Sequence, residues 1–254
     1  MLNRITYLFF VFIILNSCSN FSSEVKGSDT DSQVIKNDVE DDYIFYIVNP
    51  RQQNLDFYWK NAKGQTYGNA KTLRSSLKND NTELVFAMNG GMYLKNQSPQ
   101  GLYIEKGLQL SKLDTIQNAY GNFYMQPNGV FYLTDKNTPA ISISTDFKNN
   151  GTVKHATQSG PMLIIDGKMN HRFIDGSSNI HIRNGVGILP DGQIIFAMSK
   201  SEVNFYDFAT FFMDKGCKNA LYLDGFVSRT CLPAKDLIQE DGQFGVIIDV
   251  TKNE

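Results

Sequence analysis

The chain has 254 residues with 24 Lys and Arg against 26 Asp and Glu, so no basic field recruits nucleic acid. Its 41% hydrophobic content suits an ordinary globular core. Three cysteines and three scattered histidines (His155, His171 and His181) give no closely spaced ligand motif, so neither a metal nor a cofactor is expected.

Residues 1–17 have the order of an export signal. Arg4 supplies a positive charge, and an apolar run from Tyr7 to Leu15 follows. That run is the length of a signal-peptide core and too short to span a bilayer as a helix. It ends in Leu15-Asn16-Ser17-Cys18, which resembles a bacterial lipobox with Cys18 as the lipidated residue. An ordinary signal with a chance cysteine is the other reading; the order of charge, apolar core, Leu and Cys favours the lipobox. Residues 18–42 are rich in Ser, Asp, Asn, Lys and Glu. Such a stretch buries too little apolar surface to offset its ordering entropy, so it reads as a flexible tether. The expected protein is anchored in the bacterial cell envelope, at the outer membrane or a periplasmic face.

Residues 43–254 read as one domain built mainly of strands. Tyr43–Val48 is β-branched and aromatic and stops at Asn49-Pro50, and residues 55–59 are expected to pair with it. A short helix is read over residues 71–77. Residues 84–88 are a continuous apolar run of the kind a buried central strand carries. It opens into Met88-Asn89-Gly90-Gly91-Met92-Tyr93. Asn128-Gly129 is read as a hairpin turn before Val130. Thr157-Gln158-Ser159-Gly160-Pro161 leads into Met162–Ile165, which turns at Asp166-Gly167. Ile182-Arg183-Asn184-Gly185-Val186-Gly187 opens a strand that turns at Asp191-Gly192 into residues 194–198. Phe205, Phe208, Ala209 and Phe212 recur at i, i+3, i+4 and i+7, which predicts a helix over residues 204–215 ended by Gly216. Leu223-Asp224-Gly225-Phe226-Val227-Ser228-Arg229 follows the next strand, and residues 244–250 make a last one. An oxidising compartment permits a disulfide between Cys217 and Cys231, and their spacing does not establish it. The fold class is α+β: a single strand-rich domain with mostly antiparallel sheet and a few packed helices.

Taken singly, each polar cluster has a bland reading. Asn89-Gly90-Gly91 and Asp224-Gly225 suit turns, Ser159-Gly160-Pro161 suits a bend, and Arg183 suits a surface charge. Asn204 and Asp207 suit a helix cap, with a role behind Asp224 as the alternative for Asp207. Together and in this order the clusters resemble the phosphodiester glycosidase family, the uncovering-enzyme-like hydrolases of sugar-1-phosphodiesters. The likeness runs from about Leu84 to Pro233. It is strongest to a bacterial branch that shares Gly101-Leu102-Tyr103-Ile104-Glu105, Pro127-Asn128-Gly129-Val130 and the run from Val203 to Ala209.

The resemblance implies a hydrolase that cleaves between an anomeric carbon and phosphate. A phosphate monoester leaves as a stable anion and needs little proton donation, which suits a chain with no obvious carboxylate pair. Asp224, Arg183 and Asn89 are the expected catalytic residues, with Asp224 facing the sugar and Arg183 clamping phosphate through its planar fork. Gly90, Gly91, Thr157, Ser159, Gly160, Ser228 and Arg229 are expected to bind substrate, the glycines through a nest of backbone N–H groups. One departure stands out. Family members usually run Asp-Gly-Gly-Gly-Ser where this chain has Asp224-Gly225-Phe226-Val227-Ser228. It keeps open a rival, a non-catalytic envelope lipoprotein that binds a glycan or phosphoglycan.

Overall fold

A computed structural model describes residues 42–253. The expected signal, Cys18 and nearly all of the tether lie outside them. The described chain forms three sheets whose strand pairs are all antiparallel. The first sheet holds, in spatial order, β1 (Tyr43–Val48), β12 (Ile194–Ser199), β11 (Asn184–Ile188), β13 (Asn219–Asp224), β9 (Met162–Ile165) and β10 (Lys168–Met169). The second holds β15 (Leu237–Ile238), β14 (Thr230–Leu232), β3 (Thr82–Asn89), β16 (Ile247–Asn253) and β2 (Asn54–Tyr58). The third holds β5 (Leu108–Ser111), β4 (Tyr103–Glu105), β8 (Val153–Ser159), β6 (Gly129–Thr134) and β7 (Pro139–Ile143). Helices α1 (Ala70–Asn79) and α2 (Phe205–Asp214) cover outer faces. The α+β, strand-rich, antiparallel expectation holds.

Alternation along each strand builds the layers. In β13, Leu221 and Leu223 enter a core shared by all three sheets, with Phe86, Phe131 and Phe196 among its members. Ala220 and Tyr222 point the other way, into a second cluster with Phe205, Phe208, Ala209 and Phe212 of α2. The glycines of β11 let that helix close down. A Cβ on Gly187 would lie 2.7 Å from both the Phe212 ring and Cys217 Sγ. Each phenylalanine so buried contributes about 1.5–3 kcal/mol, so this face fixes α2 on the sheet. Asn204 caps α2 by accepting from the Asp207 N–H at 2.9 Å. Its end is a Schellman turn, with Gly216 N–H on Met213 O at 2.9 Å and Cys217 N–H on Phe212 O at 3.0 Å.

Several sequence expectations are corrected. Residues 55–59 do not pair with β1; β2 pairs with β16 in the second sheet. The intervening turn is helix-like, with the Gln52 and Gln53 N–H groups both on Asn49 O at 3.0 Å. A turn of that hand splays its flanking strands instead of twisting them together. Asn128-Gly129 is not a hairpin turn. Gly129 lies inside the sheet, opposite both Ile143 and Ser159, because a side chain there would strike Met162. The β6–β7 turn comes later, with Asn137 N–H on Thr134 O at 2.9 Å. The last strand starts at Ile247, and Phe244 packs beneath α1. Cys217 and Cys231 are free thiols in different apolar clusters, one under α2 and the other under α1. Asp166-Gly167 is the two-residue turn expected, with φ of 49° and 79°.

Candidate active site

The ends of β3, β8, β11 and β13 meet. Asn89 closes β3, Ser159 closes β8, Asn184 opens β11 and Asp224 closes β13. The register between β11 and β13 slips at Leu223, so that Asp224 stands opposite Asn184 while Tyr222 stands opposite Gly185. A bulge of this kind re-aims a strand-end side chain. Asn184 is the hub. Its Nδ2 donates to Asn89 O at 3.0 Å and Asn89 Oδ1 at 2.8 Å, and its Oδ1 accepts from the Asp224 N–H at 2.7 Å. Asn89 Oδ1 also accepts from the Arg229 N–H at 3.0 Å. Ser159 Oγ donates to Leu223 O at 2.8 Å, and Thr157 Oγ1 donates to Gly90 O at 2.9 Å. Ser228 Oγ lies 3.2 Å from the carbonyls of both Asp224 and Gly225, closing the loop after β13.

Asp224 is 7% exposed, and its Oδ1 accepts from the Gly225 N–H at 2.6 Å. Burial pushes its pKa up to about 7. The Gly225 N–H, the Asn89 amide and the Phe226 N–H oppose that rise without cancelling it. Asn89 Nδ2 is buried near this carboxyl with no hydrogen bond of good geometry, so a donor stays free beside it. Asp224 lines a pocket of about 350 Å³ together with Met92, Tyr93, Leu94, Lys95, Gln100, Phe226 and Val227. Burial and Asp224 both raise the pKa of the Tyr93 phenol. Phe226 is 93% exposed, so the bulk that replaces glycine forms a wall of the pocket and does not fill it.

The other expected site residues are placed as follows. Gly90 and Gly160 are packing glycines. Gly90 N–H is taken by Val246 O at 2.8 Å, and a Cβ on Gly160 would lie 2.7 Å from Phe123 O. Gly91, at φ 154°, would bring a Cβ 2.8 Å from Thr157 Oγ1. A nest of free N–H groups is therefore not formed at Gly90. Arg183 is fully buried and is not a lining residue of the pocket. Its Nε donates to Val203 O at 2.7 Å and its Nη2 to Asn179 O at 2.6 Å, while the guanidinium stacks 3.6 Å above the Phe205 ring. Burial pulls its pKa down and Tyr222 opposes this. Carbonyl oxygens and aromatic faces surround the guanidinium, and its Nη1 is buried without a hydrogen-bond partner. The Arg229 side chain turns outward to Asp241, with Nε at 2.7 Å and Nη2 at 2.8 Å from its carboxylate oxygens. Asp207 lies in the first turn of α2, and burial and Asp175 raise its pKa. Sequence reasoning missed Asn184 as the hub, although a polar residue at the mouth of a Gly-Val-Gly strand was its signal. It also missed Tyr93 and Lys95, which carry no signal beyond their nearness to Asn89.

The geometry can be set beside known proteins. The "Uncharacterized protein YigE" of Escherichia coli (strain K12) is 38% identical over 184 residues, covering 72% of this chain and 71% of that protein. The fold is similar to the zebrafish N-acetylglucosamine-1-phosphodiester alpha-N-acetylglucosaminidase catalytic domain, with a TM-score of 0.60 and 13% identity over 82% of each chain. It is also similar to a protein of Burkholderia pseudomallei K96243 described as exported, with a TM-score of 0.57 and 10% identity over 82% of this chain and 73% of that one. The phosphodiester glycosidase profile matches residues 82–245, a stretch that contains every residue of the site. By that match the chain belongs to the phosphodiester glycosidase family.

Proposed function

We propose that this protein is an exported, lipid-anchored hydrolase that cleaves the bond between an anomeric sugar carbon and a phosphodiester. The observation that carries the reading is Asp224, a nearly buried carboxyl with its pKa pushed up to about 7, at the wall of a 350 Å³ pocket. Once ionised, such a carboxylate is a stronger base than an ordinary aspartate, suited to taking a proton from the water that attacks the anomeric carbon. The departing phosphate needs no separate acid, which agrees with a pocket lined by one carboxyl. Asn89 offers its free Nδ2 to the sugar or to the carboxylate, and Asn184 fixes the strand ends so that the two stay in register.

The test is release of reducing sugar from a panel of sugar-1-phosphodiesters by the full-length protein in detergent. Asp224→Asn should lower turnover by about 10²–10⁴-fold while ligand affinity stays near wild type. The wild-type rate should rise with pH through about 7, since the ionised form is the active one. Turnover by Asp224→Asn at the wild-type rate would overturn the assignment. Phe226 and Val227, standing where family members usually have glycine, favour a second reading as a binding lipoprotein. Wild type that binds a phosphodiester without cleaving it would select that reading. Anchoring through Cys18 predicts that Cys18→Ala moves the protein from the membrane to the soluble fraction. Unchanged membrane recovery would rule out the lipid.

A further inference from the structure

Resting on that reading of Asp224, we propose that Lys95 is the residue that holds the phosphate and thereby sets the preference for a phosphodiester over a neutral glycoside. The site needs a cation. An ionised Asp224 and a phosphodiester anion repel one another across a pocket whose other walls are largely apolar. The two arginines expected at the site are committed elsewhere. Arg183 is buried among the Val203 and Asn179 carbonyls and the Phe205 ring, and Arg229 is bonded twice to Asp241. Among the residues lining the pocket, Lys95 is the one cation, and it makes no ion pair among the described residues.

The backbone under Lys95 is fixed. It stands second in a tight turn closed by Gln97 N–H on Leu94 O at 2.8 Å, and the hairpin is held again by Leu94 N–H on Ser98 O at 2.9 Å. Gln97 is pinned from behind, its carbonyl by Trp59 Nε1 at 2.9 Å and its Oε1 by Thr66 Oγ1 at 2.8 Å. A rigid turn thus presents a flexible ammonium at the rim, while Asp224 waits on the wall for the anomeric carbon. A point charge on a flexible stem suits a phosphate that carries different aglycones.

The experiment uses the full-length protein, the methyl phosphodiesters of α-glucose-1-phosphate and α-N-acetylglucosamine-1-phosphate, and the corresponding 4-nitrophenyl glycosides, which lack phosphate. Lys95→Gln should raise KM for a cleaved diester about tenfold, with kcat within about twofold. Lys95→Arg should restore KM, added salt should raise KM in wild type and not in Lys95→Gln, and the neutral glycosides should not distinguish the variants. Unchanged KM in Lys95→Gln, or an equal loss on diester and neutral glycoside, would overturn the proposal. If wild type cleaves neither diester, the reading of Asp224 fails separately. Calorimetric binding of the same diesters then decides on Lys95, with a weaker Kd in Lys95→Gln supporting it and an equal Kd refuting it.

Discussion

Arg183 joins three pieces of chain. Its backbone N–H donates to Ser199 Oγ at 2.9 Å, its Nε donates to Val203 O, and its Nη2 donates to Asn179 O. The planar group then lies over the Phe205 ring, 3.6 Å from its centroid, with the Tyr222 ring 5.4 Å away. A lysine ammonium reproduces neither the fork nor the stack. Losing the fork removes charge-assisted hydrogen bonds to Val203 O and Asn179 O, which costs about 2–4 kcal/mol. Arg183→Lys should therefore lower the thermal midpoint clearly while leaving KM for a phosphodiester unchanged in the folded enzyme. Thermal melts beside steady-state kinetics check this, and a raised KM with an unchanged midpoint would put the guanidinium at the phosphate after all. Asp224 shows the opposite balance. Its surroundings do not compensate it, since the Gly225 and Phe226 N–H groups and the Asn89 amide together do not offset its desolvation, and that imbalance is what makes it basic.

At the scale of elements, the site is a product of strand alternation and one slip. Around β11, the Asn184 side chain takes the face that meets Asn89, while Arg183 and Gly185 take the face that meets α2. Adjacent residues of one motif thus serve different layers. This explains why Arg183 was legible as important and illegible in its role: a motif shows that a residue is constrained, and only the pleat shows toward which side. The strands themselves were legible wherever apolar alternation met a turn with positive φ, as at Asp166-Gly167, and α2 was legible from its apolar face, its Asn204 cap and Gly216. Errors came where glycine meant crowding instead of turning. Gly129 faces Met162 and Gly90 faces Ile248, close approaches between segments far apart in sequence that no local pattern displays. The exchange of sheets between β1 and β2 was hidden for the same reason, because pairing partners β12 and β16 lie far along the chain. Of the pocket, Asp224 and Asn89 were legible from motif order. Lys95 and Tyr93 were not, since a hairpin whose register depends on Trp59 and Thr66 brings them there.

Across the whole fold, two buried carboxyls among the described residues are set against stability at high pH. Asp249 in β16 is fully buried with neither oxygen hydrogen-bonded, and burial with Asp56 opposite holds its pKa well above the usual range. Asp224 is held at about 7. The unfolded chain releases such protons near pH 4, so between pH 4 and 7 the native state binds more protons than the unfolded one. Stability must fall as pH rises through that window, and Asp249 extends the fall above it. Asp56 acts in the other direction. The His155 ring at 3.1 Å keeps its pKa below the usual value, so its contribution is lost only as the solution becomes more acid than that. The fold should accordingly be most stable in mildly acid solution, while the proposed chemistry, which needs ionised Asp224, runs best at or above neutrality. Asp224→Asn isolates the conflict. Asparagine keeps the acceptor for the Gly225 N–H and cannot ionise, so the variant should match wild type near pH 4 and exceed it by about 2–4 kcal/mol at pH 8. Chemical denaturation of both proteins from pH 4 to 8 measures the difference directly. A gap that does not widen with pH would mean that Asp224 ionises as readily in the folded protein as in the unfolded chain, and its place as the base of the site would go with it.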